Sequence, residues 1–313
     1  MNGSHSLFRT AALLAGLAVP VVAQTTFAIN PRAAYYRTNS DSPAPPLMIS
    51  LATVGALPGQ WLLLQTAGGF SFGTTPDGQR SLAAVFSANN TVLSSSSPHR
   101  VPGAIAAGPS FASGNTYFGG LPTDIPEDFY VSRELYADYV RVEVPAGAAW
   151  LIVGVSDSYF ADNSDPNNDY AITVTPIATP SLPGTGENLE LRSGVTAAPT
   201  LLPDVKLAPG GSTMSVELRD PLGFCLNNIY VLLGDTMNTG GPVPTLLPRL
   251  WVDDLILLRA GIVPAAPGFL DTWSLQAPPG LLGVTLIVQG GALNAVARNG
   301  LFETTAAHRF DLQ

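Results

Sequence analysis

Four aspartates lie close together in one short stretch of this chain, SDSYFADNSDPNNDY at residues 156–170. Asp157, Asp162, Asp165 and Asp169 are interspersed there with asparagines and serines, between two runs of β-branched and small residues. Ca²⁺ prefers about six to eight oxygen ligands from carboxylates, amides and carbonyls. Carboxylates this crowded repel one another unless a cation lies among them. The stretch therefore predicts a calcium-binding loop.

The same composition also fits an ordinary solvated turn, because Asp, Asn, Ser and Pro favour turns. Within the stretch, Asp165, Asn167 and Asp169 have the D-x-N-x-D spacing that begins an EF-hand loop. The Gly and the Glu that an EF-hand loop carries further on are missing. We therefore expect no EF-hand, and these three residues are candidates for an additional metal site.

Strands must flank the acidic stretch to place its carboxylates. The run AWLIVGVS ends directly before Asp157, and a second strand pattern begins at Tyr170. Alternation of polar and apolar residues in YVRVEV, followed by PAGA, predicts a hairpin over 138–156. Candidate strands up to this point lie at 48–54, 60–67, 82–87, 103–107, 138–145, 149–156 and 170–176.

Short strands of this kind recur along the whole chain. Gly and Pro account for 31 and 28 of the 313 residues, so turns are frequent and long helices are not expected. Further candidate strands lie near 188–193, 212–219, 228–234, 249–253, 269–276, 283–290 and 307–312. The pattern predicts an all-β protein with two tandem β-sandwich domains, the first a jelly roll. The predicted segments are a signal peptide at 1–23, a weakly structured N-terminal arm at 24–46, the jelly roll at 47–176, a linker at 177–187 and a C-terminal β-sandwich at 188–313.

The first residues have the pattern of a secretory signal. Arg9 precedes the apolar run TAALLAGLAVPVV, and Val21-Val22-Ala23 places small residues before a cut at Gln24. No later run reaches the roughly 18 apolar residues that a membrane-spanning helix needs. We expect a secreted or cell-surface protein with no transmembrane segment in the mature chain.

Charge and cysteine content exclude several classes of function. The net charge is −9 and no basic cluster occurs, so no nucleic-acid partner is expected. Cys225 is the only cysteine, so no intrachain disulfide can form, and stability must come from the core or from bound metal. Neither an H-E-x-x-H nor a C-x-x-C motif occurs, and we expect no enzymatic activity.

Two segments of the predicted first domain, ALPGQWLLLQTAGGFSFG and LIVGVSDSYFADNS followed by DYAITV, carry a family resemblance. They resemble the calcium-dependent galactose-binding bacterial lectins of the PA-IL type, which are jelly rolls. The resemblance implies a Ca²⁺ ion held by side-chain oxygens and by backbone carbonyls of the two segments. Carried over, these ligands are the carbonyl of Phe72, the side chains of Asp157, Asp162 and Asn163, and a loop carbonyl near Tyr159 or Phe160. It also makes His99, which follows Pro98, the candidate for a sugar contact.

The C-terminal part resembles an uncharacterised module of exported bacterial proteins, through PPGLLGVTLIVQGG and RNGLFETTAAHRFDL. The sequence therefore predicts an exported, calcium-binding, lectin-like protein, with carbohydrate as the first ligand class. The alternative is a calcium-stabilised structural subunit of an extracellular layer or filament, which self-associates through exposed strand edges.

Overall fold

The chain is built almost entirely from β-strands. A computed structural model describes residues 24–38, 42–107, 124–133, 138–186, 188–236, 249–252, 256–264, 268–281, 283–294, 297 and 301–313. Within these residues there are twenty strands and one short 3₁₀ helix, Leu51–Val54. The predicted all-β class is therefore confirmed. The predicted signal peptide at 1–23 lies outside the described residues.

The first half of the chain contains the strands β1 to β11. Their bounds are β1 (Thr25–Ala28), β2 (Leu47–Ser50), β3 (Trp61–Ala67), β4 (Ser71–Phe72), β5 (Leu82–Ser87), β6 (Ala104–Ile105), β7 (Phe129–Ser132), β8 (Tyr139–Glu143), β9 (Trp150–Val155), β10 (Asn163–Ser164) and β11 (Ala171–Ile177). The segment 24–46, for which the sequence predicts a weakly structured arm, contains β1. This strand is too short to show a periodic pattern, and it forms because β11 offers it a partner edge.

The strand pairing of the first half is that of a jelly roll. One sheet has the order β1-β11-β3-β8, and the other has the order β2-β9-β5, with β6 and β7 both pairing with β5. When β6 is set aside, the eight described strands of the two sheets pair in a nested way. The first pairs with the last, the second with the seventh, the third with the sixth and the fourth with the fifth. This is the arrangement of two Greek keys in a jelly roll.

An apolar core lies between these two sheets. All six residues of β5 are buried, and β8 buries Val140 and Val142 on alternate positions. Phe86 and Phe129 pack together in this core, with ring centroids 5.6 Å apart. Full burial of a side chain of this size contributes about 1.5–3 kcal/mol, so the core is the main source of stability of this half.

The second half forms another β-sandwich. Its strands are β12 (Glu190–Val195), β13 (Val205–Ala208), β14 (Thr213–Asp220), β15 (Ile229–Thr236), β16 (Ile256–Ile262), β17 (Gly268–Gln276), β18 (Thr285–Leu293), β19 (Phe302–Thr304) and β20 (His308–Leu312). One sheet has the order β12-β14-β17, and the other has the order β13-β20-β18-β15-β16, with β19 added to β18. Met214, Leu232 and Phe310 belong to the separate core of this half.

Buried polar contacts join the two halves. Arg141, on the polar side of β8, is 7% exposed and its Nε lies 3.1 Å from a carboxylate oxygen of Glu190. Tyr139, two residues earlier, donates a hydrogen bond of 3.0 Å to the same carboxylate. The alternating pattern of β8 alone predicts a solvent-facing polar side. That side instead faces the second half of the chain.

The segment for which the sequence predicts a linker, 177–187, packs against the second half. Leu182 is buried with Ile287 and Ala307, and its carbonyl accepts a hydrogen bond of 2.8 Å from the Ala307 N–H. Thr185 and Thr304 exchange hydrogen bonds of 3.1 and 3.0 Å. These contacts hold the segment in place against β18, β19 and the residues that follow β19.

The strand β16 is the last in the order of its sheet as described. Ile256, Leu257 and Ile262 on this strand are all more than half exposed. In the part of the chain covered by the structure, no helix is long and apolar enough to cross a membrane.

The core of the second half contains a carboxyl group. Glu303 is completely buried and accepts hydrogen bonds from the Cys225 thiol, at 2.6 Å, and from the Leu189 N–H, at 3.4 Å. Burial raises the pKa of Glu303 to about 7, against a smaller opposite effect of the thiol hydrogen bond. Burial lowers the pKa of His308, in the same half, to about 3. The folded protein therefore favours the neutral form of both groups.

Replacing Glu303 should make the protein more sensitive to acid. The stability that Glu303 contributes is fully present below its ordinary pKa of 4.5 and is lost as the pH rises through about 7. The contribution of His308 runs the other way, and is lost as the pH falls from 6.5 towards about 3. In Glu303→Gln, the pH-dependent contribution of His308 to stability remains and that of Glu303 is removed. Its free energy of unfolding, relative to wild type, should fall by roughly 2–3 kcal/mol between about pH 8 and pH 5.

Glu217→Gln is the matched control, because Glu217 lies on β14 of the same half, is ion-paired with Arg219 and is only partly buried. Denaturant unfolding of both variants across the pH range provides the measurement. An offset for Glu303→Gln that stays constant with pH would contradict the titration of Glu303.

Candidate metal centre

Two loops leave the same end of two neighbouring strands. β3 and β11 pair antiparallel, with Ala67 opposite Ala171. The chain that follows Ala67 and the chain that precedes Ala171 therefore start side by side. We call residues 68–81 the hairpin loop and residues 156–170 the acidic loop. The register of β3 and β11 is what brings them together.

A short strand pair then connects the two loops further out. β4 lies in the hairpin loop and β10 in the acidic loop, with Phe72 opposite Asn163 and Ser71 opposite Ser164. The hydroxyls of Ser71 and Ser164 lie 2.8 Å apart. Phe72 and Asn163, which the resemblance assigns to one calcium site, are thus neighbours in the structure.

Asp157 is the second residue of the acidic loop, two residues after the end of β9. Its Oδ1 accepts hydrogen bonds from the Ser158 N–H, at 2.6 Å, and from the Tyr159 N–H, at 3.3 Å. Its Oδ2 is buried and has no hydrogen-bond partner among the described residues. Burying a carboxylate oxygen without a hydrogen-bond partner costs free energy of folding, so this oxygen is a candidate metal ligand.

Asn163 has a similar oxygen. The residue is 1% exposed, and its Nδ2 donates a hydrogen bond of 3.0 Å to the Pro31 carbonyl. Only the amide nitrogen can donate to a carbonyl, so this bond determines the orientation of the side chain. Its Oδ1 is buried without a partner in the part of the chain that the structure describes. Arg32 Nε also bonds the Asn163 carbonyl, at 3.2 Å.

The other predicted ligands are placed as follows. The Phe72 carbonyl accepts two hydrogen bonds from Thr75, one from the N–H at 3.0 Å and one from the hydroxyl at 2.7 Å. The Asp162 carbonyl accepts from the Gly73 N–H at 3.4 Å, and the Asp162 side chain is exposed. Tyr159 is exposed on the same loop. The structure brings Phe72, Asp162 and Gly73 together, and the assignment of the set to one ion stays a prediction.

A second group of carboxylates lies nearby. Asp77, Asp165 and Asp169 place one oxygen each within 4.8 Å of one another, and we call them the three-aspartate cluster. Oxygens on opposite sides of one Ca²⁺ lie up to roughly 5 Å apart, so the cluster could hold a metal ion. Asn167, which the sequence groups with Asp165 and Asp169, is exposed on the same loop, and its role as a ligand stays a prediction.

Hydrogen bonds from the backbone hold two members of the cluster in place. Asp165 accepts from the N–H groups of Asp169, at 3.3 Å, and Tyr170, at 3.2 Å. Asp169 Oδ1 accepts from the Gly69 N–H at 3.1 Å, which ties the acidic loop to the hairpin loop. Burial and the nearby Asp165 charge raise the pKa of the Tyr170 phenol, which therefore stays neutral.

Asp77 is a candidate ligand that the sequence alone does not indicate. It lies in Pro76-Asp77-Gly78, an ordinary turn sequence far from the acidic loop along the chain. Only the pairing of the two loops places it beside Asp165 and Asp169.

The hairpin loop also contains a G-x-S-x-G spacing, Gly69 to Gly73 around Ser71. In hydrolases this motif places the serine on a sharp turn between a strand and a helix, next to a histidine. Ser71 instead lies within β4, and its hydroxyl contacts Ser164. The G-x-S-x-G spacing around Ser71 therefore does not lie on the strand–turn–helix that the hydrolase motif occupies.

His99, the candidate sugar contact, lies in an exposed turn before β6. Its φ is 46°, and its backbone N–H donates a hydrogen bond of 2.8 Å to Asp124. Its role in sugar binding stays a prediction.

The contact between the two loops can be tested at Gly68. Gly68 has φ +62°, and an added Cβ would overlap the carboxylate and carbonyl of Asp169. Gly55 has φ +69° with nothing near its Cβ position, so Gly55→Ala carries the same backbone strain without the overlap. Gly68→Ala should lower the free energy of unfolding by about 1–3 kcal/mol more than Gly55→Ala. Equal losses in denaturant unfolding would contradict the close approach of Gly68 to Asp169.

Comparisons with known proteins add little to this picture. No protein-family model and no curated protein matches the chain. Among solved structures, the chain is similar to a cellulose-active polysaccharide monooxygenase from M. thermophila, at 11% sequence identity and a TM-score of 0.20. The match covers 37% of this chain and 55% of the other. A similarity this low carries no inference about fold or activity.

Proposed function

We propose that the protein is an exported, calcium-binding, lectin-like β-sandwich protein that binds carbohydrate outside the cell. The observation that carries the proposal is Asn163. Its side chain is buried, it lies opposite Phe72 in the β4–β10 pair, and its amide oxygen has no partner among the described residues. The Oδ2 atom of Asp157 is also buried and also has no hydrogen-bond partner among the described residues. An oxygen-seeking cation would satisfy both.

The ligands of this ion would be the side chains of Asp157, Asp162 and Asn163 and the carbonyls of Phe72 and Tyr159. Carboxylate, amide and carbonyl oxygens form a set typical of Ca²⁺. The Phe72 carbonyl already accepts two hydrogen bonds from Thr75. Its participation therefore requires at least one of those bonds to open. The ion would neutralise the carboxylates and join the hairpin loop to the acidic loop.

Exposed aromatic rings support carbohydrate as the ligand class. Tyr159 is 54% exposed and Phe72 is 37% exposed, and both belong to the proposed ligand set. Aromatic rings offer flat apolar faces of the kind that pack against sugar rings. A Ca²⁺ ion with open coordination positions could accept two sugar hydroxyls beside them. The proposal assigns a binding role to the chain and no catalytic step.

Calcium should stabilise the protein. A ligand at about 100 times its Kd stabilises the folded state by about 2.7 kcal/mol, which corresponds to a rise in Tm of roughly 5 °C for a chain of this size. Asp157→Ala should reduce this rise, because it removes a proposed ligand. The measurement is thermal unfolding in calcium and in chelator.

Asp138→Ala is the control for lost charge, since Asp138 is exposed and pairs with Arg80 rather than with the acidic loop. It should keep the full rise. A wild-type Tm that is unaffected by millimolar calcium would refute the calcium proposal. A rise that is undiminished in Asp157→Ala would remove Asp157 from the site.

Carbohydrate binding should depend on the ion. We expect retention on at least one class of glycan in a glycan array with calcium, and its loss with chelator or in Asp157→Ala. If the protein is retained on no glycan although calcium raises its Tm, the ion is structural and the lectin-like function is wrong.

Self-association is a second candidate function, favoured by the exposed apolar residues of β16. Ile256, Leu257 and Ile262 lie on a strand at the end of the described sheet order. An apolar edge strand is a surface on which another strand can pair. In this alternative, calcium stabilises a subunit of an extracellular layer or filament.

A further inference from the structure

The β4–β10 pair separates two groups of oxygens. At one end of the pair, Phe72 lies opposite Asn163, and the proposed calcium ligands lie towards this end. At the other end, Ser164 leads directly into Asp165 of the three-aspartate cluster. The two groups share no residue.

The cluster concentrates negative charge, and no basic residue that the structure describes forms an ion pair with it. None of the ion pairs found between described residues involves Asp77, Asp165 or Asp169. The basic residue next along the chain, Arg80, pairs with Asp138 at 3.4 Å. Three carboxylates within 4.8 Å of one another therefore repel with no counter-charge supplied by the described protein.

Asp77 provides an independent indication that the cluster binds a ligand. Both of its carboxylate oxygens are buried, and neither has a hydrogen-bond partner within the described ranges. One of these oxygens belongs to the cluster. Buried carboxylates are normally paired, hydrogen-bonded or bound to metal, and Asp77 shows neither of the first two.

We propose that Asp77, Asp165 and Asp169 bind a second divalent cation, separate from the ion proposed at Asp157 and Asn163. The donors are all carboxylates, which favours a hard, oxygen-preferring ion such as Ca²⁺. The site does not depend on the first ion or on carbohydrate binding.

This cation joins the two loops near their bases. Asp77 belongs to the hairpin loop, and the other two aspartates belong to the acidic loop. Asp169 also accepts the Gly69 N–H, directly beyond the end of β3. The second ion thus joins the hairpin loop to the acidic loop beside the end of β3.

Calcium titration of the full chain by calorimetry tests the proposal. Wild type should bind about two ions, and Asp77→Asn should bind about one. Asp157→Ala should also bind about one, and the double variant none. Asp138→Asn, which removes an exposed charge paired with Arg80, should still bind two.

The outcomes separate this proposal from the proposed function. An ion count that is unchanged by Asp77→Asn overturns the second site, even if Asp157→Ala loses an ion. A count reduced by Asp77→Asn and unchanged by Asp157→Ala supports the second site and contradicts the first.

Thermal unfolding supplies a readout that misfolding would not imitate. In chelator, Asp77→Asn should melt above wild type, because it removes one of three repelling charges. In saturating calcium the order should reverse, because the variant lacks the ion. A variant that melts below wild type by the same amount in both conditions would overturn the proposal.

Discussion

The register between β3 and β11 is the constraint on which the first half depends. β11 lies between β1 and β3, so it joins the first strand of the jelly roll to the middle of its sheet. Seven consecutive residues of β11 pair with β3, ending with Ala171 opposite Ala67. A slip of one residue would turn Ile172 and Val174 out of the core and would move the acidic loop along the hairpin loop. The same hydrogen-bond ladder thus positions both the core and the candidate metal centre.

The scarcity of charge makes the positions of the remaining charges informative. Only 12% of residues are charged, yet Arg141 and Glu190 form an ion pair that is almost completely buried between the two halves. A buried pair of this kind gains little net stability over apolar packing, but the loss of one partner leaves an uncompensated charge. It therefore favours one specific arrangement of the two sandwiches. The carboxylates of the acidic loop form no ion pair with a basic residue among the described residues, which distinguishes them from the Arg141–Glu190 pair.

With a single cysteine, the chain cannot cross-link its loops covalently. Cys225 is instead buried as a hydrogen-bond donor to Glu303. Bound cations between the hairpin loop and the acidic loop would act as the missing cross-links.

The strands of the core could be predicted from the sequence, because burial on one or both faces leaves a pattern within each strand. The run 82–87 coincides with β5, and 60–67 and 149–156 differ from β3 and β9 only at their ends. The all-β class followed from the same patterns, whereas the acidic loop could be predicted from its composition. β1, β4 and β10 could not be predicted, because these three strands lie outside any longer apolar run and form where the fold provides a partner edge. The sequence by itself determined that oxygen donors cluster at 156–170. Only the tertiary structure decided that Asp77 joins them and that the polar side of β8 is buried, because both depend on contacts between segments far apart in the chain.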